Sequence, residues 1–178
     1  NLNTVRIDYA NLLADMSKNT EAITQYNMYI KAFPNDINGY KNLAAVYKEV
    51  GNYDKAIENY LVALQKDSQN IELKKEIANC YHEILTAQPD NLDIKSNKAI
   101  ALHALKQYDE AISLYQELLT TKDDKTIKTN LNDALVSRGH ELVEKGDNTK
   151  AIEDFKTAIK GELDRSEERR VGKECRSR

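Results

Sequence analysis

The chain has 178 residues, 31% of them charged, with a net charge of −3 at pH 7, no Trp, 6 Gly and 2 Pro. So few chain breakers leave too few turns for a many-stranded β protein, and long helices are expected. No apolar run approaches the ~18 residues needed to cross a bilayer, which predicts a soluble chain without membrane spans. Cys80 and Cys175 cannot build a disulfide framework, and neither sits in a CxxC or Cys/His cluster that would hold zinc.

The chain opens mid-pattern at Asn1, Leu2 and Asn3, with no initiator Met or signal segment, and is expected to be a fragment. From there a self-similar unit recurs. Its signature is an Ala followed by Ile and, four positions after the Ala, an aromatic ring: Ala22 with Tyr26, Ala56 with Tyr60, Ala111 with Tyr115, Ala151 with Phe155. A spacing of four puts both on one helix face, where the small residue admits a neighbouring helix and the ring fills the gap beside it. The second unit is the fullest. Tyr40, Leu43, Ala44, Tyr47, Gly51, Tyr53, Ala56 and Tyr60 fall at positions 4, 7, 8, 11, 15, 17, 20 and 24 of a 34-residue frame. Gly51, and Gly146 in the fourth unit, stand where a residue able to take positive φ ends the first helix of a hairpin.

These positions resemble the tetratricopeptide repeat, a helix-turn-helix unit, over essentially all of residues 3–160. The first unit contributes Tyr9, Ala10, Leu13 and Pro34 but has Arg6 where a large aromatic is usual, and the third has Lys98 in place of the usual leucine. The resemblance implies an all-α α-solenoid of antiparallel helix pairs, a superhelix of about four repeats, here in a fragment expected to be bacterial. The anchor spacings are 34, 55 and 40. The last gap, six over the period, is expected to lengthen a loop or the next helix around Thr120 to Thr126. The middle gap is one period plus 21, and Pro89 arrives before a second helix can form, so one unpaired helix is expected near 70–87. An odd helix reverses the direction of every later helix. The organisation expected is therefore two repeats over 1–68, a bridging or capping helix within 69–91, and two repeats over 92–164; the alternative is a degenerate repeat whose helix still stacks regularly on its neighbours.

The ending differs in kind. Residues 1–164 hold 18 Lys and 2 Arg, the last fourteen 5 Arg and 1 Lys. The segment RSEERRVGKECRSR, residues 165–178, resembles translated sequencing-adapter sequence and is expected to be a non-native tail rather than a basic nucleic-acid-binding one. Without it the chain carries 20 basic and 26 acidic groups, a balance that argues against a nucleic-acid partner. Cys80 is then the single thiol of the body, expected to be a small buried hydrophobe.

Catalytic signatures are missing: there is no GxGxxG, P-loop, GxSxG or HExxH, and the carboxylate pairs Asp123-Asp124 and Glu153-Asp154 are expected on solvated faces. No enzyme, cofactor or metal site is expected. In the repeat family, positions 2, 5, 9 and 12 of the first helices line a concave groove. The resemblance thus implies partner-binding roles for Asn11, Lys41, Lys48, Lys75, Asn79, His82, His103 and His140, with Ser96 among the same positions. Asn42 and Asn97 match part of the asparagine ladder of repeat-bearing glycosyltransferases. A carboxylate clamp is incomplete, because Ala45 and Glu76 stand where Asn is wanted.

The expected function is a non-catalytic protein–protein interaction scaffold. Its partner would be a protein or peptide, with an acidic segment favoured by Lys41, Lys48 and Lys75, and neither nucleic acid nor membrane. The alternative is the repeat region of a larger enzyme or regulator, such as a glycosyltransferase. The low cysteine count leans toward the cytoplasm.

Overall fold

The computed structural model describes the backbone of residues 2–176 and the side chains of residues 5–163. Among the described residues every regular element is a helix: α1 (Leu2–Asp15), α2 (Asn19–Ala32), α3 (Ile37–Glu49), α4 (Tyr53–Lys66), α5 (Ile71–Ala87), α6 (Leu92–Ala104), α7 (Tyr108–Thr121), α8 (Lys125–Glu144) and α9 (Asn148–Arg176). They fall into two compact units that divide after Asn91. The adapter-like segment continues α9 as backbone to Arg176; its side chains lie outside the described residues.

Local chemistry sets the helix ends. Asp36, Asn52, Asn70 and Asp124 each accept a backbone N–H of the first turn beyond them, starting α3, α4, α5 and α8. Between the two helices of every hairpin one residue takes positive φ: Ser17 (56°), Gly51 (75°), Lys106 (61°) and Gly146 (82°). All four occupy position 15 of the repeat frame, so the turn is the same whether or not glycine supplies it.

The alanine anchors are the tightest points of packing. Ala22, Ala56 and Ala111 are 0% exposed and Ala151 is 1% exposed. Their paired rings Tyr26, Tyr60 and Tyr115 are buried with them, and burying a side chain of that size contributes about 2–3 kcal/mol. In the first unit Ala10, Leu13, Ala22, Tyr26, Leu43 and Val46 form one core, edged by Ile7, Ile23 and Ile30. Gly39 shows how closely α2 and α3 approach: a Cβ there would lie 2.9 Å from Ile30 and 3.0 Å from Tyr29.

The segment between the two anchored pairs is α5, which packs against α4 in the first unit and buries Leu73, Ile77, Ala78, Cys80 and Tyr81. Lys75, Asn79, His82 and Glu83 occupy its exposed side. In the second unit the six residues beyond one period lengthen a helix rather than a loop. The 20-residue α8 begins at Lys125, and its added first turn sends Ile127 and Leu131 onto the core of Leu102, Ile112, Tyr115, Leu118 and Leu135.

One residue on the repeat pattern is exposed, and one expectation from the sequence fails. Tyr9 is 47% exposed although it sits on the repeat pattern, because no helix of the unit covers that side of α1. Asp154 lies on a buried face, at 6% exposure, not on a solvated one.

Candidate functional site

In the first unit α1 and α3 touch, and their shared face carries a recess of about 320 Å³. Its wall is apolar (Ala14, Ala45, Val46), its floor carries Asn11, Tyr26 and Asn42, and Asp15 and Glu49 lie at one end. Asn11 Oδ1 accepts two hydrogen bonds, from the Tyr26 hydroxyl at 2.6 Å and from Asn42 Nδ2 at 2.9 Å. One amide thereby ties α1, α2 and α3 together. Burial and the Asp15 carboxylate push the Tyr26 phenol above its usual range, so it stays a donor. The amide oxygen of Asn42 and the Nδ2 of Asn11 are the groups of this pair that these two bonds do not use.

The lysines divide. Lys48 donates from Nζ to Glu76 Oε2 across α3 and α5, so its charge already has a partner inside the protein. Lys41 is half-buried on α3 and Lys75 is exposed on α5. Asn79 and His82 lie beside Lys75 on the exposed face of that helix.

In the second unit the candidate residues serve local packing. The His103 ring meets Tyr108 edge-on at 5.6 Å, and its Nε2 lies 3.2 Å from Ser137 Oγ. Because that hydroxyl donates to the Asp133 carbonyl at 2.8 Å, it receives from the His103 N–H. Burial lowers the His103 pKa, against the opposing Asp133 charge, which keeps the ring neutral near pH 7. His140 is exposed and packs edge-on against Phe155 at 5.3 Å. Asn97 is exposed on α6, apart from these contacts. His103 and His140 thus have separate ring partners, and among the described residues no group of three His, Cys, Asp or Glu side chains converges as a metal site would require.

Models of the tetratricopeptide repeat match residues 26–58, 78–125 and 133–160, together more than half of the chain. The chain belongs to the tetratricopeptide repeat family. It is similar to the Hsp70-Hsp90 organising protein of Plasmodium falciparum, 30% identical over 113 residues, which are 64% of this chain and 18% of that protein. It is also similar to Tetratricopeptide repeat protein 8 of Caenorhabditis elegans, 26% identical over 159 residues, 82% of this chain and 31% of that protein. The chain therefore spans under a third of the length of either relative. Among solved structures, that of MamA protein covers 93% of this chain and 94% of its own, at 20% identity and a TM-score of 0.42.

The fourth tetratricopeptide repeat holds a polar cluster that repeat spacing alone does not disclose. Arg138 donates from Nε and Nη2 to the two carboxylate oxygens of Asp154, at 2.8 and 2.6 Å, and from Nη1 to Asp109 at 2.6 Å. The paired carboxylates hold the guanidinium pKa above its usual value, Asp154 foremost. A signal was present: Arg138 stands at position 7, where Leu43 and Ile77 of earlier repeats are buried. A charged residue at a core position of a repeat calls for a buried partner of opposite sign. The surrounding recess of about 580 Å³ carries Lys106, Glu110, Lys145 and Lys150 at its rim, a mixture of charges that selects no one sign of ligand.

Proposed function

We propose that the chain is a non-catalytic protein-interaction module that holds an extended peptide across the α1–α3 face of its first unit. The observation that carries this reading is the Asn11–Asn42 pair at the floor of an apolar-walled recess: two amides beside Ala14, Ala45 and Val46 can bond a peptide backbone while small walls admit a side chain. The similarity to the Hsp70-Hsp90 organising protein supports a protein or peptide partner.

Charge gives the peptide a direction. Lys41 and Lys75 favour an acidic residue near the start of α3 and α5, whereas Asp15 and Glu49 disfavour one at the other end of the recess. Lys48 contributes less, being offset by Glu76. Asn79 and His82 on α5 extend the same surface; Asn97, His103 and His140 belong to the second unit and are not needed for this site. A cytoplasmic setting suits Cys80, a buried free thiol. Since each curated relative is more than three times the length matched here, the module would work as one part of a longer protein.

The test is fluorescence anisotropy against a positional library of labelled decapeptides. Ala45→Arg, at an exposed helical position, fills the recess and should abolish binding with helicity unchanged. Asn42→Ala should weaken every bound peptide, and Lys41→Ala should weaken acidic ones selectively. A library without binders, or binding unaffected by Ala45→Arg, overturns the reading.

A further inference from the structure

The recess between α1 and α3 has a polar end and an acidic end. On α1 its lining runs from Asn11 through Ala14 to Asp15, three and four residues on. On α3 it runs from Asn42 through Ala45 and Val46 to Glu49, three, four and seven residues on. Such intervals keep each set on one helix face, so both stripes lead from an asparagine to a carboxylate over small or apolar side chains. Asn11 and Asp15 stand about one turn apart, roughly 6 Å along the axis.

The acidic end has no cation of its own. Asp15 and Glu49 are the last residues of α1 and α3, so two carboxylates and the negative ends of two helix dipoles line one recess. Lysine or arginine ordinarily complements such helix ends. Here α1 has no basic residue in its last turn, and the one in α3, Lys48, donates to Glu76. Neither Asp15 nor Glu49 forms an ion pair among the described residues. The Asp15 charge reaches the floor of the recess, where it adds to burial in raising the Tyr26 phenol. At the opposite end the bonds from Tyr26 and Asn42 occupy Asn11 Oδ1, and they leave Asn11 Nδ2 and the Asn42 oxygen as a neighbouring donor and acceptor.

We infer that the recess seats one basic side chain of the bound peptide, a lysine or an arginine, with its stem over Ala14, Ala45 and Val46 and its head between Asp15 and Glu49. This rests on the peptide reading of the same face and adds the residue which that face selects. The backbone of the seated residue falls at the asparagine end, where its C=O can accept from Asn11 Nδ2 and its N–H can donate to Asn42 Oδ1. A four-carbon stem matches the single turn that separates the two ends. Long basic side chains lay such stems on apolar surface and keep their heads in water. Asp15 and Glu49 are both exposed, so the head stays partly hydrated and its desolvation cost remains small. An aliphatic side chain would leave the carboxylates uncompensated, and an acidic one would be repelled. With Lys41 in the first turns of α3, the face reads a peptide that is acidic toward one end and basic toward the other.

The experiment is fluorescence anisotropy on the full chain with the labelled decapeptides that bind it, each resynthesised with Lys, Arg, norleucine, Nε-acetyllysine or Glu at the selected position. Every tight binder should carry Lys or Arg at one position, and norleucine or acetyllysine there should weaken binding by about tenfold or more. Asp15→Asn combined with Glu49→Gln keeps the shape of the recess and should remove most of that difference. Asp15→Lys combined with Glu49→Lys should invert it, so that Glu binds more tightly than Lys; cations suit helix C-termini, and circular dichroism verifies that helicity is retained. If the lysine variant loses helicity, the amide variant decides alone. Binders indifferent to charge at every position, or a basic preference that survives the double variants, overturn the inference and leave the peptide face standing wherever Ala45→Arg still abolishes binding. A library without binders, or binding untouched by Ala45→Arg, removes the peptide face and this inference with it.

Discussion

Arg138 and Asp154 form a two-pronged ion pair between α8 and α9, with the Arg138 side chain 27% and the Asp154 side chain 8% exposed. A carboxylate that deep is tolerable only while its guanidinium is present. Arg138→Leu should therefore destabilise the second unit by about 3 kcal/mol, while Arg138→Leu with Asp154→Leu should return to within about 1 kcal/mol of the parent. Urea denaturation of the two variants measures the difference. A double variant as unstable as the single one would mean that the apolar replacements fail to pack. Asp109, 89% exposed, should matter by less than about 1 kcal/mol when changed to Ala.

Two tyrosines at position 24 should respond oppositely to loss of the hydroxyl. The Tyr26 hydroxyl donates to Asn11, whereas the Tyr115 hydroxyl is buried with no partner. Tyr26→Phe should cost about 1 kcal/mol, and Tyr115→Phe should be neutral or stabilising by a similar amount. Thermal unfolding of the pair decides it; a loss at Tyr115→Phe would show that its hydroxyl is satisfied in solution.

The four position-15 turns offer a matched set. Lys106 and Ser17 hold positive φ with a side chain, Gly51 and Gly146 without one. Lys106→Gly should gain up to about 1 kcal/mol, and Gly51→Ala should lose about 1 kcal/mol although a Cβ there meets no atom within 4 Å. Equal stabilities in all four turns would remove backbone strain as the cause.

Stability should fall in alkali. Burial pushes the Cys80 thiol from 9.0 to about 11, the Asp36 hydrogen bond and burial push Tyr29 from 10.0 to about 12, and burial pushes Tyr115 to about 12. A folded pKa above the unfolded one contributes stability that is complete below the unfolded value and is lost as pH rises through the folded value. The window is therefore from about pH 9 to about pH 12. Urea midpoints at successive pH values should decline across it, and Cys80→Ala should flatten the part below pH 11. The native thiol should resist alkylation at pH 8. Rapid native-state labelling would contradict the buried placement.

The repeat was legible because its signal is steric. Ala22, Ala56, Ala111 and Ala151 sit where only a small side chain fits, and all four are buried with their rings alongside or half-buried. The helix over 71–87 was legible for a related reason: its apolar residues recur at helical spacing up to Pro89. Polar residues carried no comparable constraint. Lys48 occupies a groove position, but its pairing with Glu76 depends on how α3 and α5 lie together, which repeat spacing does not encode. His103 and His140 both fell on groove positions of the repeat, 12 and 9, yet different neighbours leave one half-buried against Ser137 and Tyr108 and the other exposed against Phe155. Asp154 read as solvated because its partner is sixteen residues away on another helix.

Asp36 joins two tasks in one carboxylate: Oδ1 receives the Asn38 N–H that starts α3, and Oδ2 receives the Tyr29 hydroxyl from α2. Because one carboxylate accepts both bonds, the first turn of α3 and the ring that backs Gly39 share an anchor, which couples the fraying of that turn to the contact of α2 with α3. Deuterium uptake at the Asn38 amide consequently reports on the seam between the first two hairpins, a slow clock at what would otherwise be a fast-exchanging helix end.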